Sequence, residues 1–185
     1  KDFERILGLA RKYNLKVNLT TNGTFPRFGP ISWGEKVLPL ASDVKISING
    51  SNGDVSENIM VGIDHNHHLS NIRQFIGVRD RVRNGHSQPT VTFQATYMER
   101  NLEDLPDLLR VAIEMGADRF KGHHLWETHP ALAEESLRRD EDSKIRWNRT
   151  VEELHHIAQQ TPLPSGGYIQ LANVLPEPIE SGANQ

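Results

Sequence analysis

The chain has 185 residues, 36% of them hydrophobic and 24% charged, a composition typical of one folded domain rather than a disordered segment. A formal net charge of −3 and the lack of an apolar run of roughly 18 residues argue against nucleic-acid and membrane partners and predict a cytoplasmic protein. The chain contains no cysteine, which excludes disulfides, thiolate catalysis and cysteine-bound metal clusters for this chain on its own.

Helical and strand patterns alternate along the sequence. The predicted strands lie at 16–21, 44–49, 90–97, 119–126 and 168–174. The predicted helices lie at 3–10, 33–40, 69–82, 101–115 and 143–160, and we expect Ser70 to cap the third and Asn101 to cap the fourth. No hairpin signal joins neighbouring strands, so we predict an α/β fold with a parallel sheet. We expect residues 1–174 to form the domain and residues 175–185 to be a flexible C-terminal tail or linker.

Three of the predicted strands carry one polar face each. The polar residues are Asn18 and Thr20 in the first strand, Lys45, Ser47 and Asn49 in the second, and Thr92, Gln94 and Thr96 in the third. Parallel strands are usually apolar on both faces, so this pattern predicts a half barrel whose concave side is lined for a polar ligand. A solvated edge strand or a register error is the alternative interpretation. Ligands in such folds bind beyond the carboxyl ends of the strands.

Short motifs stand at these predicted strand ends. They are Thr20-Thr-Asn-Gly-Thr24, Lys45-Ile-Ser-Ile-Asn-Gly50, Met98 with Asn101, Met115-Gly-Ala-Asp118 and Lys121-Gly-His-His-Leu-Trp126. In order and spacing they resemble the third to sixth strand ends of radical S-adenosylmethionine (radical SAM) enzymes. The last motif is similar to family members that carry a small accessory domain of the SPASM or twitch type after the barrel.

The resemblance implies an incomplete (β/α) barrel of the radical SAM type whose N-terminal strands are missing. In the family, a four-iron four-sulfur cluster held by a Cys-x3-Cys-x2-Cys loop cleaves S-adenosylmethionine reductively, and the resulting radical abstracts a hydrogen atom from the substrate. That loop and the Gly-Glu motif after the second strand are absent from this sequence. We therefore expect both cofactors to belong to a longer parent protein, with none bound to this fragment. We expect the fragment itself to be inactive. The substrate of the parent is unknown, and a peptide is one candidate.

Site residues follow by position from the same resemblance. It assigns S-adenosylmethionine contacts to Asn22, Ser47, Asn49, Gln94 and Thr96. It assigns adenine or substrate contacts to Lys121, His123 and Trp126. Where many members place an arginine that holds the cofactor carboxylate, this sequence reads Ile59-Met-Val-Gly62, and Lys45 or Arg73 is the candidate replacement.

Two other functions fit parts of the sequence. The histidines of Asp64-His-Asn-His-His68, with His123, His124 and His129, allow a His-ligated metal-dependent hydrolase on a β/α barrel. A non-catalytic barrel remnant that binds a ligand is the other possibility. In a truncated barrel the edge of the strand Lys16 to Thr21 is unpaired, which predicts that the fragment dimerises through this edge.

Overall fold

The computed structural model of the protein describes residues 2–179. The strands are β1 (Val17–Thr21), β2 (Ala41–Ser47), β3 (Thr90–Tyr97), β4 (Arg119–His124) and β5 (Gln170–Ala172). The helices are α1 (Asp2–Lys12), α2 (Gly29–Val37), α3 (Gly53–Ile59), α4 (His65–Arg83), α5 (Leu105–Glu114) and α6 (Glu141–Gln160). Short 3-10 segments cover Leu38–Leu40, Glu99–Asp104 and Pro130–Glu135.

The strands form one sheet in the order β1-β2-β3-β4-β5, and every neighbouring pair is parallel. At least one helix separates each strand from the next along the chain. The predicted α/β class and parallel sheet are therefore confirmed. β1 is an edge strand in the described part of the chain, as predicted, but whether this edge mediates dimerisation stays a prediction.

Helices and apolar side chains cover one face of the sheet. Ile46, Phe93 and Phe120 lie in one row across β2, β3 and β4 and are fully buried. α5 contributes an amphipathic face with Leu105 and Leu108 buried in the same core. Each such side chain stabilises the fold by about 1.5–3 kcal/mol relative to exposure. The core thus lies on one side of the sheet, and the alternate residues of the strands point to the other side.

The start of α4 differs from the sequence prediction. The helix begins at His65 rather than near Leu69, and Asp64 caps it by accepting a hydrogen bond from the backbone N–H of His67 at 2.7 Å. The predicted cap Ser70 lies inside the helix. The prediction was wrong because polar histidines fill the first turn and hide the helical pattern, while aspartate is among the preferred N-cap residues.

The start of α5 also differs from the prediction. The chain first forms the 3-10 turn Glu99–Asp104, and the α-helix begins only at Leu105 with Pro106 in its first turn, where proline is tolerated. Asn101 is therefore not an N-cap of α5. Its buried side chain instead binds backbone groups at the ends of two strands.

Asp118 joins α4 to the starts of β3 and β4. Its carboxylate accepts hydrogen bonds from the backbone N–H of Val91 at 2.8 Å, from Arg83 at 2.7 Å and from the buried guanidinium of Arg79. Arg79 also donates to the backbone oxygen of Gly116 at 2.8 Å. Arg79 and Arg83 are four residues apart and so share one face of α4. This buried ionic cluster fixes the amino ends of the strands.

The division into a domain at 1–174 and a tail at 175–185 stays a prediction. Within the described part of the tail, the backbone oxygen of Leu175 accepts a hydrogen bond from Trp147 Nε1 at 2.9 Å. The backbone N–H of Glu177 donates to Asn148 Oδ1 at 2.7 Å, so this segment is hydrogen-bonded to α6. Residues 180–185 lie outside the described residues. Between residues 2 and 179, none of the helices has the length and apolar character needed to cross a membrane.

Candidate functional site

The register of the sheet aligns polar side chains in rows on the face opposite the core. One row contains Thr20, Lys45, Thr92 and Arg119; the next contains Ser47, Gln94 and Lys121; the last contains Thr96 and His123. The three polar strand faces predicted from the sequence therefore coincide, and β4 adds a fourth. We refer to this surface, formed by these nine residues, as the polar face.

Asn49 and Asn101 tie the carboxyl ends of β2 and β3 together. Asn49 Oδ1 accepts a hydrogen bond from the backbone N–H of Thr96 at 2.8 Å. Asn101 Nδ2 donates to the backbone oxygens of Asn49 and Thr96, at 3.1 and 2.9 Å. The side-chain oxygen of Asn49 is thus already bound, and its contribution is to hold the two strand ends at a fixed spacing.

The loop after β2 is fixed by the carboxylate of Asp104. Ser51 donates to it through its backbone N–H at 2.6 Å and also through its hydroxyl. Asn52 donates through Nδ2 at 2.8 Å, and its Oδ1 caps α3 by accepting from the backbone N–H of Val55 at 3.1 Å. One carboxylate therefore positions both this loop and the start of α3.

The turn after β1 is closed by Asn22. Its Oδ1 accepts hydrogen bonds from the backbone N–H and the hydroxyl of Thr24, at 3.2 and 2.9 Å. The next residue, Gly23, has φ +73°, a backbone conformation that favours glycine. A Cβ atom at Gly23 would lie 2.5 Å from Nε2 of His68 on α4, so the turn packs directly on this imidazole. Two residues further along the turn, Phe25 stacks on Phe75 of α4, with ring centroids 4.8 Å apart.

His68 is buried beneath this turn. Neither of its ring nitrogens meets hydrogen-bond geometry with a residue between 2 and 179. Burial lowers the pKa of His68, and the neighbouring His65 and His67 add to this effect, while the nearby backbone of Asn22 opposes it. The imidazole beneath the turn is therefore neutral at neutral pH, because burial disfavours the charged form.

A carboxylate occupies the amino-terminal part of the same side of the sheet. Asp43 Oδ1 accepts hydrogen bonds from the hydroxyls of Thr90 and Thr92, at 2.7 and 2.8 Å. Lys45 Nζ lies 3.2 Å from Asp43 Oδ2, and Arg119 Nη1 lies 3.9 Å from Oδ1. This cluster closes one end of the polar face. Because Lys45 is paired here, it is a poor replacement for a cofactor-binding arginine, and Arg73 is exposed on α4.

Other predicted site residues keep free hydrogen-bonding groups. The hydroxyls of Ser47 and Thr96 and the ammonium of Lys121 make no hydrogen bond or ion pair with any residue from 2 to 179. Gln94 Nε2 lies 3.5 Å from Nε2 of His123. These partly exposed groups lie in adjacent rows, so one polar ligand can reach several of them.

Trp126 lies away from this group. Its side chain is 84% exposed and lines a shallow pocket with His124, Ser136 and Arg138 rather than the polar face. The structure thus brings Lys121 and His123 together with the predicted cofactor residues and places Trp126 beyond the end of β4. The assignments of all these residues to a cofactor or substrate stay predictions.

His124 points to the opposite side of β4 from His123 and packs among aromatic rings. Its ring centroid lies 4.8 Å from that of Trp147 and 5.7 Å from that of Tyr97. Its Nε2 lies 3.3 Å from a carboxylate oxygen of Glu177, and Glu177 also pairs with Arg138 at 2.5 Å. Burial lowers the pKa of His124 to about 4, Arg138 adds to the lowering, and Glu177 opposes it.

This lowered pKa predicts a loss of stability in mild acid. The folded state binds the proton on His124 less well than the unfolded state, whose ordinary pKa is 6.5. The stability present above about pH 6.5 is therefore lost as the pH falls toward about 4, by about 3 kcal/mol in total. Urea denaturation of the wild type and of His124→Gln at a series of pH values measures this loss. Parallel pH profiles for the two proteins would show that His124 does not cause it.

The structure does not support the metal-hydrolase alternative. Between residues 2 and 179, no group of three or more histidine or acidic side chains is arranged to hold a metal ion. His65 and His68 are buried on one face of α4, whereas His67 is exposed on another. The predicted histidine cluster therefore diverges on the helix instead of converging on one point.

Sequence reasoning missed several residues that shape the site. Arg119 extends the polar face, Asp43 closes one end of it, and Asp104 fixes the loop after β2. The sequence does indicate that β4 has a polar face, because Arg119, Lys121 and His123 recur at a spacing of two residues. It gives no indication of the role of Asp104, because its partner Ser51 lies 53 residues away in the sequence.

Comparison with known proteins gives similarity in structure alone. No family model matches the sequence, and no curated protein matches it. Three solved structures of SuiB from Streptococcus suis do match, and SuiB is a radical SAM enzyme. The structure of SuiB bound to S-adenosylmethionine gives a TM-score of 0.62 at 17% identity, and that of SuiB bound to the precursor peptide SuiA gives 0.61 at 16%. A further SuiB structure gives 0.64 at 18%.

Each match covers 92% of this chain, but the chain spans only about a third of SuiB. Identities this low support a shared fold and not a shared activity. The five parallel strands and their helices correspond to part of the larger SuiB molecule. The chain has an α/β fold with five parallel strands that is similar to part of the barrel of SuiB.

Proposed function

We propose that Ser47, Gln94 and Thr96 on the polar face bind S-adenosylmethionine and that this chain forms part of the barrel of a radical SAM enzyme. The observation that carries the proposal is the set of partly exposed polar groups in two adjacent rows toward the carboxyl ends of parallel strands, Ser47 and Gln94 in one row and Thr96 in the next. Ligands of α/β folds bind at this end of the strands. SuiB, whose fold is similar over 92% of this chain, binds S-adenosylmethionine.

The polar groups suit the chemistry of this ligand. S-adenosylmethionine carries an amino group, a carboxylate, ribose hydroxyls and the polar edge of adenine, and each of these needs a hydrogen-bond partner when it leaves water. Ser47 and Thr96 offer hydroxyls, and Gln94 offers a side-chain amide. The side-chain oxygens of Asn22 and Asn49 are used within the protein, so we propose that these residues hold the strand ends in place.

The iron–sulfur cluster does not fit this chain, because the chain has no cysteine to ligate it. We propose that other parts of a parent protein hold the cluster and that the 185-residue chain is inactive by itself. In radical SAM enzymes, reductive cleavage of S-adenosylmethionine produces the radical that abstracts a hydrogen atom from the substrate. For the parent we propose a peptide as substrate, supported by the structure of SuiB bound to the precursor peptide SuiA.

Calorimetric titration of the chain with S-adenosylmethionine tests the cofactor proposal. We expect binding to the wild type and roughly fivefold to tenfold weaker binding to Ser47→Ala and to Gln94→Ala, because each loses one hydrogen bond to the ligand. Gln159→Ala is the matched control, since Gln159 is exposed on α6, far from the polar face in the fold. Equal affinities for Gln94→Ala and Gln159→Ala, or no binding to the wild type, would contradict the proposal.

A further inference from the structure

Lys121 is a partly buried cation without a counter-ion. It lies in the middle row of the polar face, between Gln94 of β3 and Ala172 of β5 in the register of the sheet. Within residues 2–179 it makes no ion pair and no hydrogen bond. A partly buried ammonium gains from a nearby negative charge, because the screening by water is weaker there than in bulk.

The rest of the polar face does not supply that charge. Among the strand residues on this side of the sheet, all of which the structure describes, the cations are Lys45, Arg119 and Lys121, and the single carboxylate is Asp43. Asp43 lies in the row nearest the amino ends of the strands, and its oxygens already contact two hydroxyls, Lys45 and Arg119. The positive charge of Lys121 is therefore uncompensated.

His123 is suited to bind the same anion as Lys121. It lies two residues along β4 on the same face of the strand, and its Nε2 is 3.5 Å from Nε2 of Gln94, which lies across from Lys121 on β3. An imidazole N–H donates hydrogen bonds. We infer that Lys121, together with His123, binds a carboxylate group of the substrate. This inference rests on the proposed function and adds to it the chemical class of the substrate group.

The chemistry of the site favours a carboxylate over a phosphate. One free ammonium supplies one positive charge, which matches a singly charged carboxylate. Phosphate sites usually combine forked arginine contacts with the backbone N–H groups of a helix start or glycine-rich loop. The arginine nearest in register, Arg119, is engaged with Asp43 and with Gln170 Oε1 at 3.1 Å.

The test uses two peptides that differ only in charge. Isotope-labelled chain is titrated with acetyl-Gly-Glu-Gly-amide or with the neutral acetyl-Gly-Gln-Gly-amide, and the NMR signals of the Lys121 side chain and the Gly122 amide are followed. We expect the glutamate peptide to shift these signals and the glutamine peptide to leave them unchanged. Lys121→Gln should bind the glutamate peptide roughly tenfold more weakly than the wild type. Lys16→Gln, at an exposed lysine before β1, is the matched control and should bind as the wild type does.

Equal affinity of Lys121→Gln and Lys16→Gln, or equal binding of the two peptides, would overturn the inference, as would the absence of peptide binding. S-adenosylmethionine is titrated into the same proteins, and we expect Lys121→Gln to leave its affinity unchanged. A tenfold loss of S-adenosylmethionine affinity with unchanged peptide affinity would assign Lys121 to the cofactor and also overturn the inference. If charge-dependent peptide binding persists while S-adenosylmethionine fails to bind any of the proteins, the carboxylate site stands and the proposed function fails.

Discussion

Replacing Asp118 with alanine is expected to lower the free energy of unfolding by about 3–5 kcal/mol, because it leaves the buried guanidinium of Arg79 with only the exposed carboxylate of Asp80 as an ionic partner. The Arg79 side chain is only 4% exposed, so water cannot replace the lost carboxylate. The backbone N–H of Val91 at the start of β3 also loses its hydrogen bond to Asp118. Urea denaturation measures the change as a shift in midpoint at constant slope.

Asp107→Ala is the matched control for this experiment. Asp107 pairs with Arg110 at 2.8 Å, but both side chains are more than half exposed. Exposed pairs of this kind contribute about 0–1 kcal/mol. A loss for Asp118→Ala as small as that for Asp107→Ala would contradict the assignment of Asp118 as the residue that fixes the starts of β3 and β4.

Replacing Trp147 with alanine is expected to lower the free energy of unfolding by about 3–5 kcal/mol as well. The side chain is fully buried, and its ring lies 4.6 Å from that of Tyr97 and 4.8 Å from that of His124. Trp147 Nε1 also donates a hydrogen bond to the backbone oxygen of Leu175. The substitution thus removes a large apolar volume and one of the hydrogen bonds that hold the segment after β5 on α6.

Two further variants separate these contributions. Trp147→Phe keeps most of the apolar contact and loses the Nε1 hydrogen bond. We therefore expect it to lower the free energy of unfolding by about 1–2 kcal/mol, less than Trp147→Ala. Trp126→Ala is the exposed control, since Trp126 is 84% exposed, and a change within about 0.5 kcal/mol is expected. Thermal or urea unfolding that ranks Trp126→Ala equal to Trp147→Ala would contradict the packing described for α6.

The sequence was most informative about the strands. The predicted strand at 90–97 agrees with β3 residue for residue, and the polar faces of β1, β2 and β3 agree with the register of the sheet. These predictions succeeded because side chains alternate between the two faces of a strand, so one stretch of sequence contains the whole signal. The parallel arrangement followed from the intervening helices.

Contacts between distant residues could not be predicted in the same way. Asn101 was predicted to cap a helix, because asparagine before an apolar helical pattern favours that position. In the structure its amide bridges the backbone of residues 49 and 96, and only the three-dimensional approach of β2 and β3 shows this. The capping role of Asp64 was hidden by polar histidines in the first turn of α4.

The measurement that tests the central claim most directly is NMR mapping of S-adenosylmethionine on the 15N-labelled chain. If Ser47, Gln94 and Thr96 form the cofactor site, the largest changes in amide chemical shift will occur toward the carboxyl ends of β2 and β3, around these three residues. The exposed amides of α6 will stay unchanged, because that helix packs on the core side of the sheet. Shifts confined to the helices, or no shifts at a saturating concentration, would contradict the claim that this face binds S-adenosylmethionine.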